Sequence, residues 1–140
     1  FYSSRIALIY SSSVLYISAY DLIYSTCGGS IMLEAIFGSK SAEQVLTYIS
    51  ARDKGYVREI SKFYATSSDP ILKQLKKFED VGVLVSFEEG RTRIYEFNFR
   101  YPFLKELKAL LEKSISFYSP EQQNRLLDNR RRPRKKGKPL

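Results

Sequence analysis

One short stretch of this chain concentrates side chains that suit the recognition of a nucleic acid. Lys73, Lys76 and Lys77 carry ammonium groups that attract phosphate, and Gln74 carries an amide that donates to and accepts from a base edge. Lysine hydrogen-bonds well to guanine and glutamine to adenine, so Lys73 and Gln74 are the candidates for reading bases. The chain has no histidine and a single cysteine, Cys27, which excludes a histidine-based catalytic triad and a Cys/His metal site. We therefore expect binding chemistry and no enzymatic activity.

Two arginines lie in a second stretch, whose pattern is typical of a β-hairpin. Residues 83–85 and 94–97 are rich in β-branched and aromatic side chains, and Gly90 between them suits a turn that needs positive φ. Arg91 and Arg93 therefore fall at or near the tip of this hairpin, which spans about 83–98. Guanidinium groups at such a tip suit a phosphate backbone or a narrow minor groove.

The lysines and Gln74 must be held by a helix that buries its opposite face. Ile71, Leu75 and Phe78 fall at i, i+4 and i+7, which predicts an amphipathic helix over about 68–81. The lysines and Gln74 are expected off this apolar stripe, facing solvent. The signals for the ends of the helix are Ser67 or Ser68 as N-cap, Asp69 and Pro70 in the first turn, and a left-handed Gly82 after the last turn.

A shorter amphipathic segment, from about Tyr56 to Tyr64, precedes this helix across a turn at 65–67. Arg58 and Lys62 are four residues apart on its outward face, where such a pair meets backbone phosphates; the alternative for Arg58 is a simple ion pair with a nearby acid. Helix, turn, helix and hairpin in this order predict an α+β, mainly α fold. The specific expectation is a winged helix-turn-helix with a two-stranded wing and a long C-terminal helix.

Five short motifs occur in a characteristic order and spacing. They are Ile36-Phe37-Gly38-Ser39-Lys40, Tyr56-Val57-Arg58-Glu59-Ile60, Leu75-Lys76-Lys77-Phe78-Glu79 with Gly82, Gly90-Arg91-Thr92-Arg93-Ile94-Tyr95, and Pro102-Phe103-Leu104-Lys105-Glu106-Leu107. Through them the span from about Met32 to Tyr118 resembles ArsR-like winged-helix transcriptional regulators, in the branch also found upstream of small nucleotidyltransferase domains. The resemblance implies a DNA-binding regulator whose terminal helices form a dimer interface.

The predicted last long helix, 103–118, has an apolar stripe wider than a monomer of this size needs. The stripe consists of Phe103, Leu104, Leu107, Leu110, Leu111 and Ile115. We expect a homodimer through helix 103–118 and the first helix, because paired DNA half-sites require two-fold symmetry. The alternative is that this helix only closes the core of a monomer.

Positive charge is concentrated at the C-terminal end of the 140-residue chain. The formal net charge is +8, and the segment 119–140 holds eight basic and two acidic side chains. Ser119-Pro120-Glu121-Gln122 predicts a capping box and a short helix. Residues 129–140 are expected to be disordered, as a DNA-backbone arm or as a solvated basic tail.

The segment 1–31 differs in composition from the rest, since it is rich in serine, tyrosine and branched aliphatics. It is a poor membrane span or secretory signal, because its serine clusters and Asp21 interrupt the apolar run. A strand or a domain-swapping arm is one interpretation. The other, which we favour, is an upstream translated or expression-derived extension, with the winged helix-turn-helix domain at 32–118.

These observations lead to one functional hypothesis and one principal alternative. The hypothesis is a dimeric, sequence-specific regulator of transcription that binds double-stranded DNA in the cytoplasm, acts as a repressor, and needs no cofactor, metal or membrane. Its candidate DNA-binding residues are Arg58, Ser67, Ser68, Lys73, Gln74, Lys76, Lys77, Arg91 and Arg93. The alternative is a protein-interaction winged helix that partners a nucleotidyltransferase-like or other protein; RNA binding is a weaker third option.

Overall fold

The computed structural model describes residues 33–128, which contain six helices and one small sheet. The segments 1–32 and 129–140 lie outside the described residues, and with them the predicted extension and the basic tail. The elements in chain order are α1 (Glu34–Phe37), α2 (Lys40–Arg52), β1 (Lys54–Gly55), α3 (Val57–Tyr64), α4 (Ser68–Asp80), β2 (Leu84–Glu89), β3 (Thr92–Phe97), α5 (Leu104–Ser116) and α6 (Pro120–Leu127). This is a winged-helix fold.

Helix α2 is the centre of the domain. Every residue from 42 to 49 is buried, and the helix contacts all the other described helices as well as β1 and β3. The helical spacing of Val45, Leu46 and Ile49 predicts one inward face, and all three are buried, but α2 is buried on its other sides too. A helix covered all round serves as the common packing partner of the elements around it.

Ser41 and Gln44 have the spacing of a capping box, which predicts a helix that begins after Ser41, but α2 begins differently. Ser39 is the N-cap, and its Oγ accepts a hydrogen bond from the Ala42 N–H at 3.2 Å. The helix begins earlier because Gly38 ends α1 in a left-handed conformation (φ 81°) and Ser39 is extended. Gln44 consequently falls inside the helix, where it is buried.

The helix-turn-helix consists of α3 and α4, as predicted. Ala65 ends α3 in a left-handed conformation (φ 51°), which turns the chain towards α4. In α4, Ile71 and Leu75 are fully buried and Phe78 packs against the same core. Gly82 adopts the predicted left-handed conformation (φ 78°), and α4 ends at Asp80, one residue before the predicted end.

The sheet has three antiparallel strands in the order β1-β3-β2, one more than predicted. The sequence at 53–55 indicates only a turn, yet Lys54 and Gly55 pair with Glu96 and Tyr95 of β3. Gly55 permits this approach, because a Cβ atom there would lie 3.0 Å from Cε1 of Tyr48.

The C-terminal helices close the core. Helix α5 packs through Leu111 and Ile115, and α6 has the predicted capping box of Ser119 and Gln122. Leu126 of α6 is buried in the same core, and the Arg52 side chain caps the end of α6. Arg52 Nε donates to the Leu126 carbonyl oxygen at 3.1 Å, and Nη2 donates to the Arg125 carbonyl oxygen at 3.0 Å. The packed unit therefore extends past the predicted boundary at 118.

Within residues 33–128, no helix has the length and apolarity needed to cross a membrane. No three histidine, cysteine or acidic side chains there are grouped so that they could hold a metal ion.

The interior around α2 contains one carboxylate, Glu43, which has no exposed surface. Neither of its side-chain oxygens makes a hydrogen bond of good geometry, and the hydroxyl oxygens of Thr47 and Ser114 are likewise buried without partners. Burial raises the pKa of Glu43 above its ordinary value of 4.5, and the nearby backbone of Leu33 offsets this rise only in part. The folded protein therefore holds a proton on Glu43 more tightly than the unfolded chain does.

The raised pKa of Glu43 makes the stability of the folded protein depend on pH in a defined direction. Stability from the protonated Glu43 is fully present below the unfolded pKa and is lost as the pH rises through the folded pKa. We expect Glu43→Gln to raise the free energy of unfolding at mildly alkaline pH by on the order of 1 kcal/mol, the scale of one unsatisfied buried group. The gain should shrink as the pH falls towards 4.5. Urea unfolding across this pH range measures it.

The control is Glu112→Gln, which changes an exposed carboxylate on α5. Its effect on the free energy of unfolding should be small at every pH. A Glu43→Gln variant that destabilises the protein equally across the whole range would contradict a raised pKa of Glu43 in the folded state.

Candidate nucleic-acid interface

The solvent-facing side of α4 carries the three predicted lysines. Lys73, Lys76 and Lys77 are exposed, and the opposite face of the helix holds the buried Ile71 and Leu75. Within residues 33–128 the ion pairs are Arg52–Glu59 and Arg93–Glu79, so none of the three ammonium groups is neutralised by a carboxylate. Asp69 and Asp80 lie at the two ends of this face and leave its middle cationic.

Gln74 does not share this face, in contrast to the sequence expectation. Its side chain is half-buried, and Oε1 is fully buried without a hydrogen-bond partner. The physical reason is the helical spacing: position 74 is three residues after Ile71 and four before Phe78, which places it on the edge of the apolar stripe. The buried amide oxygen is turned away from any DNA in front of the lysines.

The two serines at the start of α4 do not cap it through their side chains. Ser67 occupies the N-cap position with extended backbone, but its hydroxyl accepts no hydrogen bond from the first turn. The Ser68 hydroxyl lies 3.3 Å from the hydroxyl of Ser61, a buried residue of α3, so it joins the two helices. Ser67 is exposed and does not join the helices in this way, so it remains the candidate for a contact at this end of α4.

Helix α3 presents two of the predicted cations. Arg58 and Lys62 are exposed one turn apart, and neither takes part in an ion pair with another described residue. The alternative is an ion pair of Arg58 with a nearby acid; among the described residues Arg58 forms none, and the adjacent Glu59 pairs with Arg52 at 3.9 Å. Both side chains are therefore available to an anion.

The tip of the wing carries Arg91 alone. Glu89 pairs with Thr92 as the last rung of the β2–β3 ladder, which leaves Gly90 and Arg91 as a two-residue loop. Gly90 has a positive φ (66°), and Arg91 is exposed. A cation on a tight, projecting loop suits contact with a backbone or a minor groove.

Arg93 lies near the tip, one rung inside the loop, but its guanidinium is engaged within the domain. Its Nη2 donates to Oε1 of Glu79 on α4 at 2.8 Å, and its Nε donates to Oγ of Ser86 on β2 at 2.8 Å. Ser86 Oγ in turn donates to Oε1 of Glu79. We refer to Arg93, Glu79 and Ser86 as the Arg93 network. It connects one helix and two strands.

The pleat of the sheet explains why Arg91 and Arg93 differ. Arg93 shares its face of β3 with Tyr95 and Phe97, which are almost fully buried, so its side chain extends on the side of the sheet that covers the core. Its guanidinium lies 5.8 Å from the centre of the Tyr95 ring. Arg91 lies in the loop outside the strands, so the alternation of side chains along β3 does not set its direction.

A second surface lies on α5, away from its buried side. Phe103, Leu110 and Phe117 are 64%, 38% and 52% exposed, and they recur every seven residues along one line. We call these three residues the apolar seam. The predicted dimer stripe is thus divided, because Leu104, Leu107, Leu111 and Ile115 pack against the domain's own core while the seam faces outward.

The sequence signals identified the cations but missed the Arg93 network. Glu79 gives no sign of this role in the sequence, since an acid near the end of a lysine-rich helix is typical of a solvated side chain. The available signal was the alternation in β3, which places Arg93 on the same face as the core-facing Tyr95 and Phe97.

Comparisons with known proteins give two distant similarities to solved structures. No family model matches the chain, and no curated protein matches it. Among solved structures, the crystal structure of overoxidized AbfR bound to DNA has a TM-score of 0.47 and 17% identity, over 86% of this chain and 89% of that chain. The structure of disulfide-formed AbfR has a TM-score of 0.48 and 17% identity, over 90% and 93%. The winged-helix assignment rests on this chain's own helix order and sheet.

Proposed function

We propose that this protein is a sequence-specific transcriptional regulator that binds double-stranded DNA as a homodimer and acts as a repressor. In this proposal α4 enters the major groove and the β2–β3 hairpin contacts the backbone or the minor groove. The ArsR-like resemblance of its motifs agrees with such a function.

One observation carries the proposal: α4 buries Ile71 and Leu75 fully on one face, and its other face presents three exposed lysines that form no ion pair with a described residue. A recognition helix needs this division, because it must pack firmly on its domain while its outer face approaches phosphates and base edges. The exposed Arg58 and Lys62 on the preceding helix supply cations of the kind that meet the backbone beside a major groove.

The proposed DNA contacts are assigned to side chains that are exposed in the structure. Lys73 lies nearest the N-terminal end of α4 among the lysines and is the proposed base-reading residue, with guanine as its preferred partner. Lys76, Lys77, Arg58 and Arg91 are proposed to contact phosphates, with Ser67 as a further polar contact at the helix start. The buried amide oxygen of Gln74 argues against the adenine contact that the sequence suggests for it.

The apolar seam supports a dimer of two copies of this chain. Glu106 and Lys113 flank the seam four residues before and three residues after Leu110. A two-fold, antiparallel pairing of α5 centred on Leu110 therefore brings Glu106 close to the partner's Lys113, and Phe103 close to the partner's Phe117. Opposite charges placed in this way favour a second copy of the same helix as the occupant.

The first prediction concerns affinity and its salt dependence. We expect Lys76→Gln with Lys77→Gln to weaken binding to every duplex and to flatten the log–log salt slope by about 0.9 for each phosphate that is no longer neutralised. Electrophoretic retardation across a salt series measures the slope. The control pair Lys40→Gln with Lys105→Gln removes two exposed lysines from other helices and should leave the slope unchanged.

Wild-type protein that retains no duplex at low salt would contradict DNA binding and favour the protein-interaction module instead. Equal slopes for the α4 pair and the control pair would contradict the placement of the interface on α4.

The second prediction concerns specificity. Lys73→Ala should cost about 1–3 kcal/mol on a duplex recovered by selection from a random pool, and much less on an unselected duplex. Competition binding with both duplexes measures the difference. Equal decreases in affinity for the two duplexes would show that Lys73 contacts only the backbone.

The third prediction concerns the dimer. Leu110→Lys should shift sedimentation towards the monomer, because it places two like charges at the centre of the paired seams. Ala109→Lys is the matched control, since it adds the same charge to an exposed neighbouring position off the seam. Glu106→Lys should also weaken association, and Glu106→Lys combined with Lys113→Glu should restore it. A wild-type protein that stays monomeric at high concentration would contradict the interface.

A further inference from the structure

We propose that Arg93 is a positioning residue, which holds the hairpin against α4 so that Arg91 is aimed at DNA, and that Arg93 itself does not contact DNA. This inference rests on the proposed function and deepens it, because it divides the wing into one contacting and one positioning arginine. The Arg93 network supplies the geometry. Its three side chains come from α4, β2 and β3, and each contacts the other two.

The Arg93 network lies where the orientation of the hairpin relative to α4 has to be fixed. The β2–β3 ladder fixes the strands relative to each other, but it does not by itself set the tilt of the hairpin relative to the recognition helix. Within the described residues, the side-chain hydrogen bonds that join α4 to the hairpin are those of Glu79 with Ser86 and with Arg93. Glu79 lies at the C-terminal end of α4, and the ladder carries the constraint outward from Arg93 to the loop at Gly90 and Arg91.

Charge also argues against Arg93 as a phosphate contact. Its guanidinium and the Glu79 carboxylate form a pair with no net charge, in which Glu79 is the less exposed partner at 25%. A phosphate brought to Arg93 would approach this carboxylate as well, and the like charges would repel each other. Arg91 differs, because it forms no ion pair with a described acid. Its guanidinium can therefore approach a phosphate without bringing a paired carboxylate with it.

Arg93 could either position the wing or contact DNA itself. These two roles predict opposite changes in DNA affinity for the substitution Glu79→Gln. If Arg93 positions the wing, Glu79→Gln loosens the hairpin and weakens DNA binding. If Arg93 grips DNA, Glu79→Gln removes a competing carboxylate, frees the guanidinium and tightens DNA binding. Glutamine keeps the size and the hydrogen-bonding carbonyl of glutamate, so the change is chiefly one of charge.

The experiment measures binding of a labelled duplex, recovered by selection from a random pool, to the full chain. We expect Glu79→Gln and Arg93→Ala each to weaken binding by about threefold to tenfold, in the lower part of the range produced by the coupling of contacting residues. In an Arg91→Ala background, Glu79→Gln should not weaken binding further, because the arginine that the Arg93 network orients is no longer present. Arg91→Ala should flatten the salt slope by about one, and Arg93→Ala should leave the slope unchanged.

Glu88→Gln is the matched control. Glu88 is exposed and lies opposite Arg93 in the ladder, but it forms no ion pair with a described residue. Its removal should not weaken binding. The Arg91→Ala background separates a folding defect from a positioning defect. If Glu79→Gln impaired folding, it would weaken binding in this background too, whereas the loss of positioning would not.

Three outcomes would overturn the inference: tighter binding by Glu79→Gln, unchanged binding by Glu79→Gln, or an equal decrease in affinity from Glu79→Gln with and without Arg91. Each of them requires that wild-type protein binds the duplex. If the wild-type protein does not bind duplex DNA, the proposed function itself fails, and this result is distinguishable from the other three.

Discussion

The burial of the middle of α2, residues 42–49, is the constraint on which the rest of this structure depends. A helix of thirteen residues with eight consecutive buried positions needs partners on every side, and the other described helices supply them. Because α4 packs against α2 through its apolar stripe, the lysine side of α4 has only one direction in which to face, which is solvent. The candidate DNA surface is thus a consequence of how the core is filled.

The same core fixes the wing only in part. Strand β3 is anchored by Tyr95 and Phe97, so the base of the hairpin is held by packing, whereas the loop at Gly90 and Arg91 projects from it. Beyond this packed base, polar contacts between Arg93, Ser86 and Glu79 hold the hairpin to α4. Apolar burial therefore holds the base of the wing, and a small charged network links its outer part to α4.

Local signals were sufficient for most of the fold. The spacing of Ile71, Leu75 and Phe78, the left-handed Gly82 and the capping box at Ser119 each depend on neighbours within a few residues, and each prediction is confirmed. Strand β1 was missed because two residues acquire a strand partner only through β3, about forty positions away in the chain. The candidate site was predictable for its lysines, which depend on helical period. It was not predictable for Arg93, whose partner Glu79 becomes a neighbour only after folding.

The central claim is that the lysine face of α4 and the loop at Arg91 form one surface that binds duplex DNA. The most direct measurement is the change in backbone amide NMR shifts when a short duplex recovered by selection is added to the wild-type protein. We expect the perturbed amides to map to the first turns of α3 and α4, to Lys73, Lys76 and Lys77, and to the loop at Gly90 and Arg91, with no direct contact along the apolar seam of α5. Perturbations confined to the seam, or none at all, would contradict the claim.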